Sequence, residues 1–221
     1  MDDPKYQADE PLDPRSLSDH AIIISPDTYR TDRVPPGQSR TRKWPVLDAS
    51  GTPPLPALDQ WELVVFGLVD HVLKFTWDDF RQLPRVKVFA DFHCVTRWSR
   101  LGNVWDGVSI REVLSRAGVQ SEARFVILHA YDHGWTTNLP LADFDQNDAL
   151  LADTHDGAPL TADHGGPVRA MVPRLYAWKS AKWLRGIELS ATDKPGFWER
   201  GGYHLLGDPW REQRVRDDPD W

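Results

Sequence analysis

The chain has one cysteine, Cys94, in the segment Asp91-Phe92-His93-Cys94-Val95-Thr96-Arg97-Trp98-Ser99-Arg100, where an apolar run breaks into a polar, arginine-bearing loop. A lone thiol there serves as a metal ligand, as a nucleophile or as a small buried hydrophobe. It cannot form an internal disulfide, a four-cysteine iron–sulfur cluster or a cysteine-rich zinc site. His93, Arg97 and Arg100 are expected to lower its pKa by favouring the thiolate, and a strand end running into a loop is where a rigid scaffold presents a side chain to a pocket. Asp91 is expected to orient this loop by accepting backbone hydrogen bonds.

A second candidate lies downstream. The chain carries 33 acidic residues, yet none falls between Asp163 and Glu188, a gap that holds Arg169, Arg174, Lys179, Lys182 and Arg185. Within it, His164-Gly165-Gly166-Pro167-Val168-Arg169 sets two flexible backbone units beside a fork-shaped cation. Lys179-Ser180-Ala181-Lys182 offers two ammoniums, a hydroxyl and backbone N–H groups in one turn. That chemistry suits a phosphate. Neither G-x-x-x-x-G-K-[ST] nor G-x-G-x-x-G occurs, so ATP and dinucleotide sites are not indicated. A solvated basic face is the plainer alternative, against which the interleaved Tyr176, Trp178, Trp183 and Leu184 argue. His129 and His133 are four apart across a strand and its turn, where that spacing does not align side chains as it would on a helix, so a zinc pair is not read. His20, His71 and His155 read as surface residues. Trp98 and Trp105 fit either core or pocket wall.

The elements that would position these groups are short. Eighteen prolines and eleven tryptophans predict irregular connections and an aromatic interior rather than long helices. Residues 1–57, rich in Pro, Asp and Arg, read as an arm packing on the core, 58–191 as the main domain and 192–221 as a C-terminal tail. Strands are expected at Trp61–Phe66, Val86–Phe92, Arg124–Ala130, Trp135–Leu139, Val168–Val172 and Trp183–Leu189, with a turn at Thr154–Gly157. Capping boxes at Thr76-Trp77-Asp78-Asp79 and Ser109-Ile110-Arg111-Glu112 open two short helices; Pro84 stops the first and Gly118 the second. Strands and helices alternate without a βαβ rhythm, which gives a mixed α+β class. A net charge of −7 argues against generic binding to nucleic acid or acidic membranes. No apolar stretch is long enough for a membrane span and no export signal is visible, so a cytoplasmic location is expected.

Taken together, the cysteine loop and the anion tract, in this order and at this distance, resemble the sulfite oxidase family of molybdopterin enzymes. The likeness is nearest to its stand-alone prokaryotic branch, related to the methionine sulfoxide reductase catalytic subunit. It covers roughly Trp61 to Leu189, and more loosely the arm and the segment Gly196–His204. The resemblance implies a mixed-sheet molybdopterin-binding domain with an extended N-terminal arm, with molybdenum ligated by Cys94. It also implies a pterin phosphate held by His164, Arg169, Lys179, Ser180, Ala181 and Lys182, arm contacts from Arg42, Lys43, Trp44, Pro45 and Val46, and cofactor contacts from His93, His129 and Ala130. Arg97 would meet an oxyanion substrate. Oxygen-atom transfer to or from sulfite or a sulfoxide would follow, with electrons exchanged with a separate flavoprotein, ferredoxin or cytochrome. A non-catalytic molybdopterin or anion-binding subunit of a redox complex is the alternative.

Overall fold

The computed structural model describes residues 13–17, 21–49 and 51–216. In chain order its strands are β1 (Ile22–Ile24), β2 (Ser39–Arg40), β3 (Glu62–Gly67), β4 (Leu73–Thr76), β5 (Arg85–His93), β6 (Trp98–Ser109), β7 (Phe125–Ala130), β8 (Thr136–Pro140), β9 (Leu150–His155), β10 (Ala158–Pro159), β11 (Arg169–Met171) and β12 (Leu184–Ser190). The helices are α1 (Trp77–Gln82), α2 (Ile110–Ala117), α3 (Leu141–Phe144) and α4 (Phe197–Arg200). One sheet runs β1-β5-β6-β9-β10, with β2 joined to β6 and β11 to β9; the other runs β4-β3-β12-β7-β8. Three pairings are parallel, β1 with β5, β2 with β6 and β12 with β3, and the rest are antiparallel. This is the expected mixed α+β architecture. No helix among the described residues is long and apolar enough to cross a membrane.

Local chemistry explains the element ends. The Asp79 N–H donates to Thr76 Oγ1 at 3.2 Å and the Thr76 N–H donates back to Asp79 Oδ2 at 3.1 Å, a complete capping box that opens α1. Such a cap stabilises a short helix by about 1 kcal/mol; Phe80, fully buried, anchors its inner face. The second capping box does not form. Ser109 is still the last residue of β6, its side chain makes no cap bond, and Glu112 turns outward to Arg116 at 2.7 Å. Helix α2 is held instead by its buried stripe of Ile110, Val113, Leu114 and Ala117, and ends at Gly118 in the left-handed region.

Six strands among the described residues were not expected from the sequence, β1, β2, β4, β6, β9 and β10. β6 runs on through Gly102, Asn103 and Gly107, residues that read as turn formers, and β9 occupies Leu150–His155, where a polar stretch and a turn were expected. The turn itself is confined to Asp156 and Gly157, both at positive φ. His155 is correspondingly no surface residue: its side chain is buried between the rings of Trp44 and Trp105. His71 is exposed as expected, and His20 lies outside the described residues.

The arm is woven into the first sheet. β1 adds to the edge of β5 in the register Ile22↔Lys87 to Ile24↔Phe89, and Arg33 grips the buried Asp91 with two hydrogen bonds at 2.8 and 2.6 Å. Asp91 also accepts the Gly102 N–H at 2.8 Å. Its carboxylate therefore fastens the arm and the β5–β6 hairpin, more than the loop it was expected to orient. One core cluster lies on the second sheet with α1 and α2, built on Trp61, Leu63, Phe80, Leu128 and Ile187; a smaller one, Val88, Phe92, Trp105, Leu150 and Met171, backs the cysteine hairpin and receives Trp44 from the arm.

Candidate functional site

Cys94 opens the turn between β5 and β6. Its N–H donates to Trp98 O at 2.9 Å, the Arg97 N–H donates to Cys94 O at 3.0 Å, and Arg97 takes φ +72°. Turns of this kind need one left-handed residue, usually glycine, so an arginine there holds strained backbone at the site. The thiol is 7% exposed, accepts from Thr96 Oγ1 at 3.2 Å and faces a cavity of about 240 Å³.

The thiol is not activated in the way its neighbours suggested. Burial pushes its pKa up, opposed by the Thr96 hydroxyl, by backbone N–H groups and by the charge of Arg214 from the tail. The three expected cations are engaged elsewhere. His93 Nδ1 lies 2.9 Å from Ser99 Oγ, and burial drives its pKa down to about 4. Arg97 is exposed and reaches Gly37 O, at 3.5 Å. Arg100 is buried against Asp156 at 2.9 Å. Alternation along the extended backbone turns His93 away from its neighbour Cys94, and Asp156 claims Arg100.

The far wall of the same cavity comes from the acid-free stretch. Arg169, Ser180 and Lys182 line it together with Cys94, so the two sequence signals, 75 residues or more apart, face one space. Arg169 is 2% exposed; its guanidinium donates to His164 O and Ser180 O, both at 2.9 Å, and no carboxylate among the described residues pairs with it. Burial pulls its pKa down to about 9. Lys182 donates to Asp163 O at 2.7 Å and stands 3.5 Å from Asp48; burial and then the charge of Arg169 bring it down to about 8. His164 stacks on Trp44 with ring centroids 3.8 Å apart and has a buried Nδ1 without a partner. Burial, then Arg169 and Lys182, hold His164 near 4. Gly165, at φ +96°, lets this loop close on Lys182, because a Cβ there would lie 2.9 Å from the Lys182 Cα. The lining holds two cations, Arg169 and Lys182, and two carboxylates, Asp48 and Asp132; Lys182 stands beside Asp48, which leaves the buried Arg169 guanidinium as the charge a bound anion would match.

Not every expected residue joins the cavity. Trp44, Pro45, Ala130, Arg169, Ser180 and Lys182 line it with Cys94. Arg42, Lys43 and Val46 are exposed on the arm. His129 points from the other face of β7 to Glu188, at 3.0 Å, while its neighbour Ala130 faces the cavity. Ala181 is buried, its carbonyl accepting from the Ala170 N–H at 2.9 Å. Lys179 departs furthest: it is fully buried and pairs with Glu199 at 2.6 Å. Of the remaining cations in the gap, Arg174 pairs with Asp143 at 3.5 Å and Arg185 is exposed. The cavity also takes walls that the sequence did not single out, Asp132 and Trp135 from the β7–β8 turn and Trp198 and Tyr203 from the tail. The acid count could not separate facing from averted cations; the aromatic-rich tail was the one available hint.

Among the described residues, no group of three or more His, Cys, Asp or Glu side chains could hold a metal. A metal bound at Cys94 would draw its other donors from a bound molecule.

Comparison with known proteins bears on this arrangement. Residues 50–198 match the oxidoreductase molybdopterin binding domain family. An uncharacterized oxidoreductase, YuiH, of Bacillus subtilis is 51% identical over 186 residues, covering 84% of this chain and 93% of that protein. The sulfite oxidase of Arabidopsis thaliana is 28% identical over 190 residues, 69% of this chain but only 48% of that protein. Among solved structures, the sulfane dehydrogenase SoxCD of Paracoccus pantotrophus superimposes with a TM-score of 0.58 at 23% identity, covering 65% of this chain and 41% of that one, a likeness of fold.

Proposed function

We propose that this chain, which belongs to the oxidoreductase molybdopterin binding domain family, holds molybdenum with molybdopterin and uses Cys94 as the protein's ligand to the metal. Arg169 and Lys182, with the backbone of Ser180–Lys182, would hold the phosphate, and Trp44, Pro45 and Ala130 would line the pterin. The observation that carries this reading is the shared cavity: a single soft sulfur stands in the same space as a buried guanidinium that pairs with no carboxylate among the described residues. An anionic dithiolene cofactor matches both, because its sulfurs complete a thiolate-ligated metal and its phosphate neutralises Arg169. When bound, such a cofactor supplies two-electron exchange coupled to oxygen-atom transfer. The protein's part is to orient it, to exclude water with the tryptophan walls and to keep the sulfur in place through Thr96 and the hairpin bonds.

A small oxo compound is the proposed substrate. Reducing a sulfoxide breaks its S–O bond, consumes two electrons and two protons and leaves a thioether and water; oxidising sulfite to sulfate runs electrons the opposite way. The cavity lining favours the neutral sulfoxide. Phe92, Val95, Trp98, Trp135, Trp198 and Tyr203 make most of it apolar, and Arg97, the expected oxyanion contact, faces outward. Electrons would pass to or from a separate carrier such as a flavoprotein, ferredoxin or cytochrome, in the cytoplasm.

Molybdenum analysis and the fluorescence of the oxidised pterin, on protein from a molybdopterin-competent host, test the binding. Cys94→Ser should lose redox activity while keeping the fold and much of the pterin, since the phosphate grip lies elsewhere. Parent protein without pterin would refute the proposal. Dye-coupled reduction of sulfoxides and oxidation of sulfite identify the substrate; loaded protein that turns over neither would favour the non-catalytic subunit instead.

A further inference from the structure

Lys179 belongs to the acid-free stretch yet turns its back on the cavity. Its Nζ pairs with Glu199 Oε1 at 2.6 Å and donates to Asn138 O and Leu205 O, both at 2.5 Å; both side chains of the pair are 0% exposed. The same Oε1 accepts from the Thr137 hydroxyl at 2.7 Å and from Trp178 Nε1 at 2.9 Å. One buried carboxylate oxygen therefore ties together three segments: β8, the turn around Lys179, and α4 in the tail.

What flanks this junction is cavity wall. Trp178 and Ser180 adjoin Lys179 in sequence, Trp198 adjoins Glu199, and all three line the space that Cys94 faces. Tyr203 packs between the two tryptophans, 5.2 Å from Trp178 and 5.0 Å from Trp198. Gly196 enters the tail pressed against the backbone of Thr136 and Thr137, so close that a Cβ would collide. The tail cannot relax on that side without disturbing β8. Glu199 and Tyr203 lie beyond residue 198, where the family match ends.

A wholly buried ion pair gains little net stability, because desolvation of both charges offsets their attraction, and apolar residues of similar volume often do as well. What it adds here is direction: three donors converge on one oxygen and leave little choice of register. We propose that the Lys179–Glu199 pair is a positioning device, which registers the aromatic wall of the tail, Trp198 and Tyr203, against the turn bearing Trp178 and Ser180 and so encloses the Cys94 thiol. Its consequence for cofactor retention rests on the function proposed above; its shielding of the thiol does not.

The decisive variant is the charge-free double replacement Lys179→Met with Glu199→Gln. It strands no buried charge, Gln still accepts from Thr137 and Trp178, Met fills the space of the lysine stem, and relief of the pair's desolvation offsets the loss of a donor to the Asn138 and Leu205 carbonyls. Either single replacement leaves one buried charge alone and is expected to melt far lower. In cofactor-free protein the double variant should melt close to the parent, while Cys94 reacts with iodoacetamide about tenfold faster because the wall opens more often. In loaded protein it should shed pterin during gel filtration. A parental alkylation rate would overturn the proposal, since the wall would then hold its place without the pair. A double variant that does not fold would overturn it too, by making the pair a prop of the fold. Parent protein from a molybdopterin-competent host that contains no pterin would sink the cofactor reading alone and leave the alkylation result standing.

Discussion

Replacing Arg169 with methionine should leave the cofactor-free protein close to the parent in stability, unlike the removal of an ordinary well-buried, hydrogen-bonded core residue. The guanidinium's pKa is pushed down to about 9 by burial. At ~1.4 kcal/mol per pH unit below the ordinary arginine value, that amounts to roughly 4–5 kcal/mol held against the charged form. In exchange the variant strands the carbonyls of His164 and Ser180, each a buried acceptor worth ~1–3 kcal/mol. The balance runs from about 2 kcal/mol against the variant to about 3 kcal/mol in its favour, and at ~2–4 °C per kcal/mol the melting point should fall by no more than ~8 °C and rise by no more than ~12 °C. The cost applies at neutral pH: a lowered pKa near 9 still leaves the group charged at pH 7, so the burden is fully present there and is relieved only as pH rises above about 9 toward the ordinary arginine value. A bound anion should favour the parent. Inorganic phosphate at a hundredfold excess over its Kd adds ~2.7 kcal/mol to whichever protein binds it, and only the parent should respond. Urea and thermal melts of both proteins, with and without phosphate, make the comparison. A cofactor-free variant several kcal/mol weaker than the parent, with a parent that phosphate does not move, would refute the reasoning and make Arg169 an ordinary structural residue.

Arg97→Gly should raise stability by about 1 kcal/mol, because glycine takes φ +72° without the Cβ penalty, and thermal melts of the cofactor-free protein will read it. If Arg97 meets substrate, the same change lowers kcat/KM at unchanged pterin content; a lowered melting point would contradict the strain assigned to this turn. His164, held near 4 against an ordinary 6.5, is neutral when folded while the unfolded chain takes up the proton first. Its contribution is therefore complete above pH 6.5 and lost as pH falls toward 4, and His164→Gln should flatten part of that decline in urea midpoint; an unchanged slope would exclude the group. Arg33→Ala leaves the buried Asp91 carboxylate without its two-pronged partner and should cost about 3–5 kcal/mol, with faster proteolysis of the arm between residues 25 and 40. Cleavage at the parental rate would show that β1 alone secures the arm.

The sequence by itself determined the signals that act locally. Cys94 at a strand-to-loop junction, the acid-free stretch around Arg169, the Thr76 capping box, the glycine stop of α2 and the strands with clear alternation are written in neighbouring residues, and short-range sterics and hydrogen bonding enforce them. Even the order of cysteine loop and anion tract sufficed to suggest the family. Facing was not legible. Lys179 and Lys182 sit three apart in one turn with the same chemistry, yet Lys182 reaches the cavity rim and Lys179 is drawn into the core by Glu199, twenty residues on. Three cations near Cys94 looked set to activate it, but strand alternation turns His93 away, Asp156 claims Arg100, and burial raises the thiol's pKa instead. Tyr203, Trp198 and Arg214 come from a tail that, among the described residues, adds no strand to either sheet. Only tertiary packing decided these points, because burial and charge pairing depend on residues distant in sequence: a side chain's partner, and with it its direction and ionisation, is fixed when the arm, the two sheets and the tail close on one another.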